Sequence, residues 1–194
     1  MAISRILHMN SHHRSKGSHL QVAIDYILKD EKTMNGLLTG SVNCIKENAY
    51  ECMKETKRLY GKMDKRQGYH LIISFEENEC DGDTAMKVIE EFVHEYLESD
   101  YEVVYAVHTN TDHIHGHIIW NSVRFTDGYK YHYKKGDWEK NIQPRIDRIC
   151  EKYNLSTLEK SIEKTDKKEW DVLKDGPFIW NEQIKQGGDG NGQA

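Results

Sequence analysis

Residues 108–122 read HTNTDHIHGHIIWNS and hold four histidines, His108, His113, His115 and His117. Strand side chains alternate between faces. His113, His115, His117, Ile119 and Asn121 would therefore share one face, and Ile114, Gly116, Ile118 and Trp120 the other. Residues 101–108 and 113–123 read as two strands joined by the polar turn 109–112, a hairpin. Pairing His108 opposite His113 would bring His108 onto the histidine face; a one-residue slip would remove it. A lone histidine on a strand is usually structural, but three or four converging on a half-covered face point to a metal site. Imidazole suits zinc, copper, iron, nickel and manganese, and three such ligands leave positions open, as catalysis requires. Asp112 and Glu76 are nearby carboxylates suited to orienting a ring through its other nitrogen. Because protonated imidazole cannot ligate, metal affinity is expected to weaken below about pH 6.5.

The second candidate is Tyr26. Residues 19–29 place Leu20, Ala23, Ile24, Ile27 and Leu28 at helical spacing, with Ser18 as a suitable N-cap. At about 100° per residue, Tyr26 lies roughly 130° from the centre of that apolar stripe. A phenol placed this way either packs against a neighbouring element or serves as a nucleophile, attacking a phosphodiester to give a covalent phosphotyrosine.

These groups need a scaffold, and the chain's 194 residues suggest one domain with a tail. Residues 2–7 read as a short strand, followed by a His- and Ser-rich loop over 8–18. Gly36 and Gly40 mark a loop, and a helix is expected from about 43 to 60, ended by Gly61. YHLIISF (69–75) reads as a buried strand. After a loop over 76–83, Asp83 can cap a helix over 84–98 whose outer face carries acidic residues. Residues 137–153 look helical, with Pro144 a potential break or kink. Runs of this kind suggest an α+β domain of two layers built on an antiparallel sheet. The closing GGDGNGQA reads as a flexible tail, so the domain is expected over 1–160 and an extension over 161–194.

Composition excludes several classes. At 37% hydrophobic and 30% charged the chain can bury a core and is not wholly disordered. No apolar run reaches the roughly 18 residues of a membrane span, and the first residues lack the apolar stretch of a signal peptide. Cys44, Cys52, Cys80 and Cys150 form no CxxC pair, which indicates neither a disulfide scaffold nor a zinc ribbon and favours a reducing, cytoplasmic setting. The net charge of −5 argues against a uniformly basic nucleic-acid binder, but it is unevenly spread. Residues 76–102 sum to −10, leaving +5 on the remainder, which still permits an anionic ligand.

In combination, the motifs resemble the relaxase (mobilisation nuclease) family of HUH endonucleases. They are a histidine-x-histidine on a strand, a histidine seven residues before it, an asparagine four after it, and an upstream tyrosine in AIDYILKDEKT. YHLIISFEE, NSVRFTDGYKY and RIDRICEKYNLS extend the likeness over most of residues 2–158. It implies a sheet of about five antiparallel strands flanked by helices. It also implies one divalent ion, Mn²⁺ or Mg²⁺, held by His108, His115 and His117, and attack by Tyr26 on a DNA phosphate. The products would be a 5′-phosphotyrosyl adduct and a free 3′ hydroxyl, allowing rejoining after plasmid or transposon transfer. The implied partners are single-stranded origin-of-transfer DNA with an adjacent hairpin, together with accessory relaxosome and coupling proteins.

Two positions depart from the family pattern. The middle residue of the HxH is Gly116 rather than a bulky hydrophobe, although it points away from the ligand face. Asn110 stands where an aspartate is common, which leaves Asp112 or Glu76 as the carboxylate and His113 and Asn121 as further proton-transfer candidates. Lys32, Arg124, Lys130, Lys134 and Lys135 are candidate phosphate contacts, with Tyr129, Tyr131, Tyr133 and Trp138 as candidate stacking rings; an ordinary lysine-rich surface segment reads equally well. Two other functions use the same residues. A small-molecule metallohydrolase would need the histidines but not Tyr26, and a non-cleaving origin-binding module would need neither chemistry.

Overall fold

The computed structural model describes residues 2–10 and 19–157. The expected N-cap at Ser18, most of the 8–18 loop, and the extension over 161–194 lie outside the described residues. Strands β1 (Ile3–Asn10), β2 (Thr39–Val42), β3 (Arg66–Ser74), β4 (Val103–His108) and β5 (His115–Asn121) alternate with helices α1 (His19–Ile27), α2 (Ala49–Leu59), α3 (Gly82–Tyr96) and α4 (Gln143–Lys152). The strands form one five-stranded sheet in the order β1-β3-β5-β4-β2, every neighbouring pair antiparallel. The α+β class and the five-stranded antiparallel sheet expected from the sequence are both present.

The two sheet faces carry different chemistry. Leu71 and Ile73 of β3, Val103 and Val107 of β4, and Ile118 and Trp120 of β5 join the main apolar core. That core is closed by Val88, Ile89 and Phe92 of α3 and by Ile146 and Ile149 of α4. The opposite face presents His70, Ile72, Ala106, His108, His117, Ile119 and Asn121, all buried. It is covered by the apolar stripe of α1 (Leu20, Ala23, Ile24, Ile27) and by Met53 of α2. A tight polar cluster thus lies on the thinner, two-helix side of the sheet.

Several boundaries differ from the sequence expectation for identifiable reasons. The loop expected around Gly36 and Gly40 contains β2, whose TGSV is short and weakly β-forming. It is an edge strand, and Gly40 is required there because a Cβ would come within 2.4 Å of the Tyr105 ring. The N-cap of α3 is Asp81, not Asp83: its carboxylate accepts from Thr84 N at 2.8 Å. Pro144 neither breaks nor kinks α4. It sits in the helix's first turn, where no N–H is needed, and a π-helical turn over Trp138–Ile142 leads into it. Gly116 faces α3, where a Cβ would come within 2.2 Å of Ile89 Cδ1. The missing hydrophobe in the HxH is therefore a consequence of how closely α3 lies on the sheet.

Candidate active site

The link between β4 and β5 spans 109–114, and the register places His108 directly opposite His115, with His117 opposite Ala106. The pairing expected from the sequence, His108 with His113, is off by two residues. An even slip preserves the face, so His108 still joins His115 and His117 while His113 drops into the loop. One ring nitrogen from each of the three lies within 4.8 Å of the others. Ring centroids are 4.4 Å apart for His108–His117, 4.9 Å for His115–His117 and 5.2 Å for His108–His115.

Hydrogen bonds decide which nitrogen of each ring is available. His108 Nε2 lies 3.0 Å from Ile27 O, and His115 Nδ1 lies 2.9 Å from His113 O. A carbonyl can only accept, so in each neutral ring that nitrogen holds the proton and the other keeps its lone pair. His117 Nδ1 lies 2.9 Å from Nε2 of His70, itself fully buried. His108 Nδ1 and His117 Nε2 are buried with no hydrogen-bond partner. Unpartnered ring nitrogens this deeply buried are unusual in a packed interior; here they converge, and the donor set fits a divalent ion.

Electrostatics agrees with ligation. Burial is the largest cause pushing His108 down to about 4, with the charge of Lys32 and the neighbouring His115 adding to it and the Ile27 carbonyl opposing. Burial likewise lowers His115 and, more strongly, His117. His70 is pushed down to about 3, again chiefly by burial. All four rings are therefore neutral near pH 7.

Tyr26 occupies the last turn of α1, one residue before the carbonyl that holds His108. Its ring stands edge-on to His108 at 5.7 Å and to His117 at 6.2 Å between centroids. Lys32, in the 3₁₀ turn Asp30–Lys32, donates from Nζ to Tyr26 Oη at 3.1 Å and lies 4.2 Å from the ring centroid. The Lys32 carbonyl in turn accepts from Thr109 N at the exit of β4. The off-stripe position read on the helical wheel thus turns the phenol toward the histidines.

The remaining candidates are placed less uniformly. Asp112 and His113 are exposed in the 109–114 loop, and only the His113 carbonyl touches the triad. Glu76 is exposed just beyond β3, its backbone N–H bound to the Glu79 carboxylate. Asn121 is buried, but four residues along β5 from His117; its amide donates to Met53 O at 3.0 Å and to Glu102 Oε2 at 2.9 Å. The structure therefore gives Asn121 the work of fastening α2 to the sheet. Lys32 Nζ is bonded to Tyr26 Oη. Arg124 is matched by Asp100 at 3.6 Å and Asp127 at 3.7 Å, and its Nε donates to Tyr101 Oη. Lys130 donates to Asp64 O at 2.7 Å, while Lys134 and Lys135 are exposed. Tyr131 bonds Tyr96 Oη at 2.6 Å and packs on Tyr69 and Trp120, and Trp138 Nε1 donates to Ser4. Those two rings are structural; Tyr129 is exposed.

Residue spacing in the sequence does not point to His70. It reads as one polar letter in the apolar run YHLIISF, and only the β3–β5 pairing, which skips a strand in chain order, sets it on the face of His117. Among the described residues no helix is long and apolar enough to cross a membrane.

A protein from Staphylococcus aureus named Protein rlx is 34% identical over 141 residues, covering 73% of this chain and 42% of that protein. A second S. aureus Protein rlx is 30% identical over 166 residues, 84% of this chain and 50% of its own length. The group II intron-interrupted relaxase LtrB of Lactococcus lactis subsp. cremoris is 29% identical over 107 residues, 48% of this chain and 19% of LtrB. The chain thus spans half or less of the curated relatives it matches. A structure solved for the molecular basis of vancomycin resistance transfer in S. aureus shares the fold, with a TM-score of 0.52 at 12% identity over 81% of this chain and 96% of that one. The family model for the MobA/VirD2-like relaxase nuclease domain matches residues 26–155, beginning at Tyr26 and enclosing the whole triad. The chain belongs to the relaxase family.

Proposed function

We propose that residues 1–160 form a nicking domain that cuts one DNA strand at an origin of transfer and holds the cut end for rejoining. The observation that carries this reading is the position of Tyr26: its ring edge-on to His108 and His117, its Oη accepting a hydrogen bond from Lys32 Nζ at 3.1 Å. A neutral tyrosine is a weak nucleophile, and a cationic donor on Oη favours the charge that gathers there as the proton leaves. Tyr26 Oη bonds to phosphorus, the bond to the 3′ oxygen breaks, and the phenolic proton is passed in net to that departing oxygen. The chain keeps a 5′-phosphotyrosyl link whose reversal rejoins the strand.

His108, His115 and His117 would hold one divalent ion, Mn²⁺ or Mg²⁺, which when bound supplies Lewis acidity to a phosphoryl oxygen. The Ile27 and His113 carbonyls and His70 fix the three rings, while α1 and the sheet exclude water from their inner side. The substrate is single-stranded origin DNA beside a hairpin, presented with accessory relaxosome and coupling proteins.

A denaturing-gel assay tests the proposal, using candidate origin oligonucleotides labelled 3′ of the cut. Wild type, Tyr26→Phe and His115→Ala are compared with manganese and with chelator. A slow-migrating protein–DNA adduct is expected for wild type with metal alone. Cleavage without an adduct that persists in Tyr26→Phe would overturn the tyrosine route and assign a hydrolytic enzyme.

A further inference from the structure

Far from the triad, the end of β1, the start of β3 and the segment after β5 enclose a cavity of about 310 Å³ bordered by His8, Asn10, Lys65, Arg66, Lys130 and His132. In a chain of net charge −5 this corner gathers three cations. Among the described residues its only carboxylate contact is Asp64, 3.8 Å from Lys130 and itself 70% exposed. Among the described residues no carboxylate pairs with Arg66. Its Nε is bound by the Asn10 side-chain oxygen at 2.8 Å, its guanidinium lies over Tyr69 at 5.1 Å, and Nη1 is buried without a hydrogen-bond partner. The planar donor fork is thus held in place by a neutral amide and an aromatic face, with its charge uncompensated. Lys65 adjoins it with φ near +60°, a conformation that costs a non-glycine residue energy. Burial, and then the charges of Lys62, Lys65 and Arg66, hold Lys130 below the usual lysine range despite Asp64. Like charges gathered where they repel one another are what an anion site looks like without its anion.

We propose that this cavity is a remote backbone-phosphate subsite for the single DNA strand whose scissile phosphate lies at Tyr26. The inference rests on the relaxase reading above. Arg66 precedes Ile72, the β3 partner of His117, by six residues, about 20 Å of strand. His8 and Tyr69 place the pocket on the core side of the sheet, opposite the histidines, so a strand stacked at about 3.4 Å per phosphate passes round the β1 edge and meets the pocket more than about six nucleotides from the cut. It would fix the strand's path and carry no sequence information of its own.

The test measures binding of a fluorescent oligothymidylate of about twenty nucleotides, long enough to bridge both sites, as a function of sodium chloride. Each phosphate neutralised on a single strand contributes about 0.7 to the slope of log affinity against log salt. The triple variant Lys65→Gln/Arg66→Gln/Lys130→Gln is expected to lower the slope by about 0.7, for the one phosphate the cavity takes, and Lys65→Gln/Lys130→Gln, which keeps the Arg66 stack, by less. Thermal melting and Mn²⁺ titration confirm that each variant is folded. An unchanged slope in a folded variant overturns the subsite. So does an equal fall in Lys54→Gln/Lys87→Gln/Lys140→Gln, which removes three lysines elsewhere. Inorganic phosphate that abolishes the variant's difference at sub-millimolar concentration would assign an isolated anion site instead. Loss of the Tyr26 adduct sinks the relaxase reading, whereas an unaltered salt slope with the adduct intact sinks only this one.

Discussion

Nε2 of His70 lies 2.9 Å from Nδ1 of His117, and both rings are buried on the same face of the sheet, one on β3 and one on β5. With His117 donating from Nδ1, its Nε2 is left as a lone pair directed at the other two histidines. Losing a partner that orients a ligand typically costs about 10–100-fold in metal affinity. His70→Ala is expected to lose Mn²⁺ affinity in that range, while His70→Gln, which retains an acceptor, recovers part of it. Isothermal titration of the folded variants decides the point: equal affinities for wild type and His70→Ala would show that His117 needs no such support.

The pH dependence follows from burial. Unperturbed histidines would surrender a metal below about pH 6.5, but burial pushes His108 down to about 4 and lowers His115 and His117 as well. Protons compete less well for such rings, so Mn²⁺ affinity should stay flat as the pH falls through 6.5 and weaken only at lower pH. The stability of the metal-free protein responds at higher pH. Between the lowered folded values and 6.5, the unfolded chain binds protons that the folded chain refuses, so stability falls as the pH drops through that window. Chemical denaturation with and without Mn²⁺ from pH 7 to 5 measures both effects. Metal affinity already halved at pH 6.5 would contradict the burial argument.

What could be read from the sequence was what periodicity controls. The alternation of His115 and His117, the apolar stripe of α1 with Tyr26 off it, and the acidic outer face of α3 all follow from residue spacing. What could not be read depends on pairing between segments distant in the chain. His70 reaches His117 only because β3 and β5 are neighbours, and Asn121 is drawn to α2 by the Met53 carbonyl and the Glu102 carboxylate. The hairpin register differs by two residues from the sequence expectation because polarity alone does not show where a turn ends, and the even slip keeps the histidines on one face. β2 was invisible because an edge strand built around Gly40 has no side-chain pattern to show.

Gly116 supplies a packing test. Valine there would drive its side chain into Ile89 on α3, where even a Cβ comes within 2.2 Å of Cδ1. Overpacking of this kind costs about 1–3 kcal/mol. Ile89→Ala in the same chain should return part of that loss, a coupling readable by a double-mutant cycle. Additive effects of the two substitutions would mean that α3 shifts freely and that glycine is not required.

Asn121 is expected to matter for stability and not for chemistry. Asn121→Ala removes the donor to Met53 O and to Glu102 Oε2, leaving buried acceptors short of a partner at a cost of about 1–3 kcal/mol. Its Mn²⁺ affinity and adduct yield should match wild type at temperatures where both are folded. A variant of undiminished stability that forms no adduct would return Asn121 to the proton-transfer candidates.

Lys57 shares that buried network and offers a titration of its own. It is 1% exposed, its Nζ donates to Met53 O at 3.2 Å, and burial pushes it down to about 7, with Glu102 opposing and Lys130 adding to the fall. Above pH 7 the unfolded chain keeps a lysine proton that the folded chain has released, so stability rises with pH from 7 toward 10.5. Below pH 7 both states are protonated and the full cost of burying the charge remains. The buried thiols pull the other way: Cys44 and Cys150 are pushed up to about 12 and Cys80 to about 11 by burial, so near pH 9 the unfolded chain begins to lose protons that the folded chain keeps. The thiols contribute equally to wild type and Lys57→Met, so the difference between the two proteins isolates Lys57. From about pH 7 to 8.5 the urea midpoint of wild type should climb relative to that of Lys57→Met. Parallel slopes in the two proteins would mean that Lys57 stays charged in the fold, with Glu102 offsetting its burial.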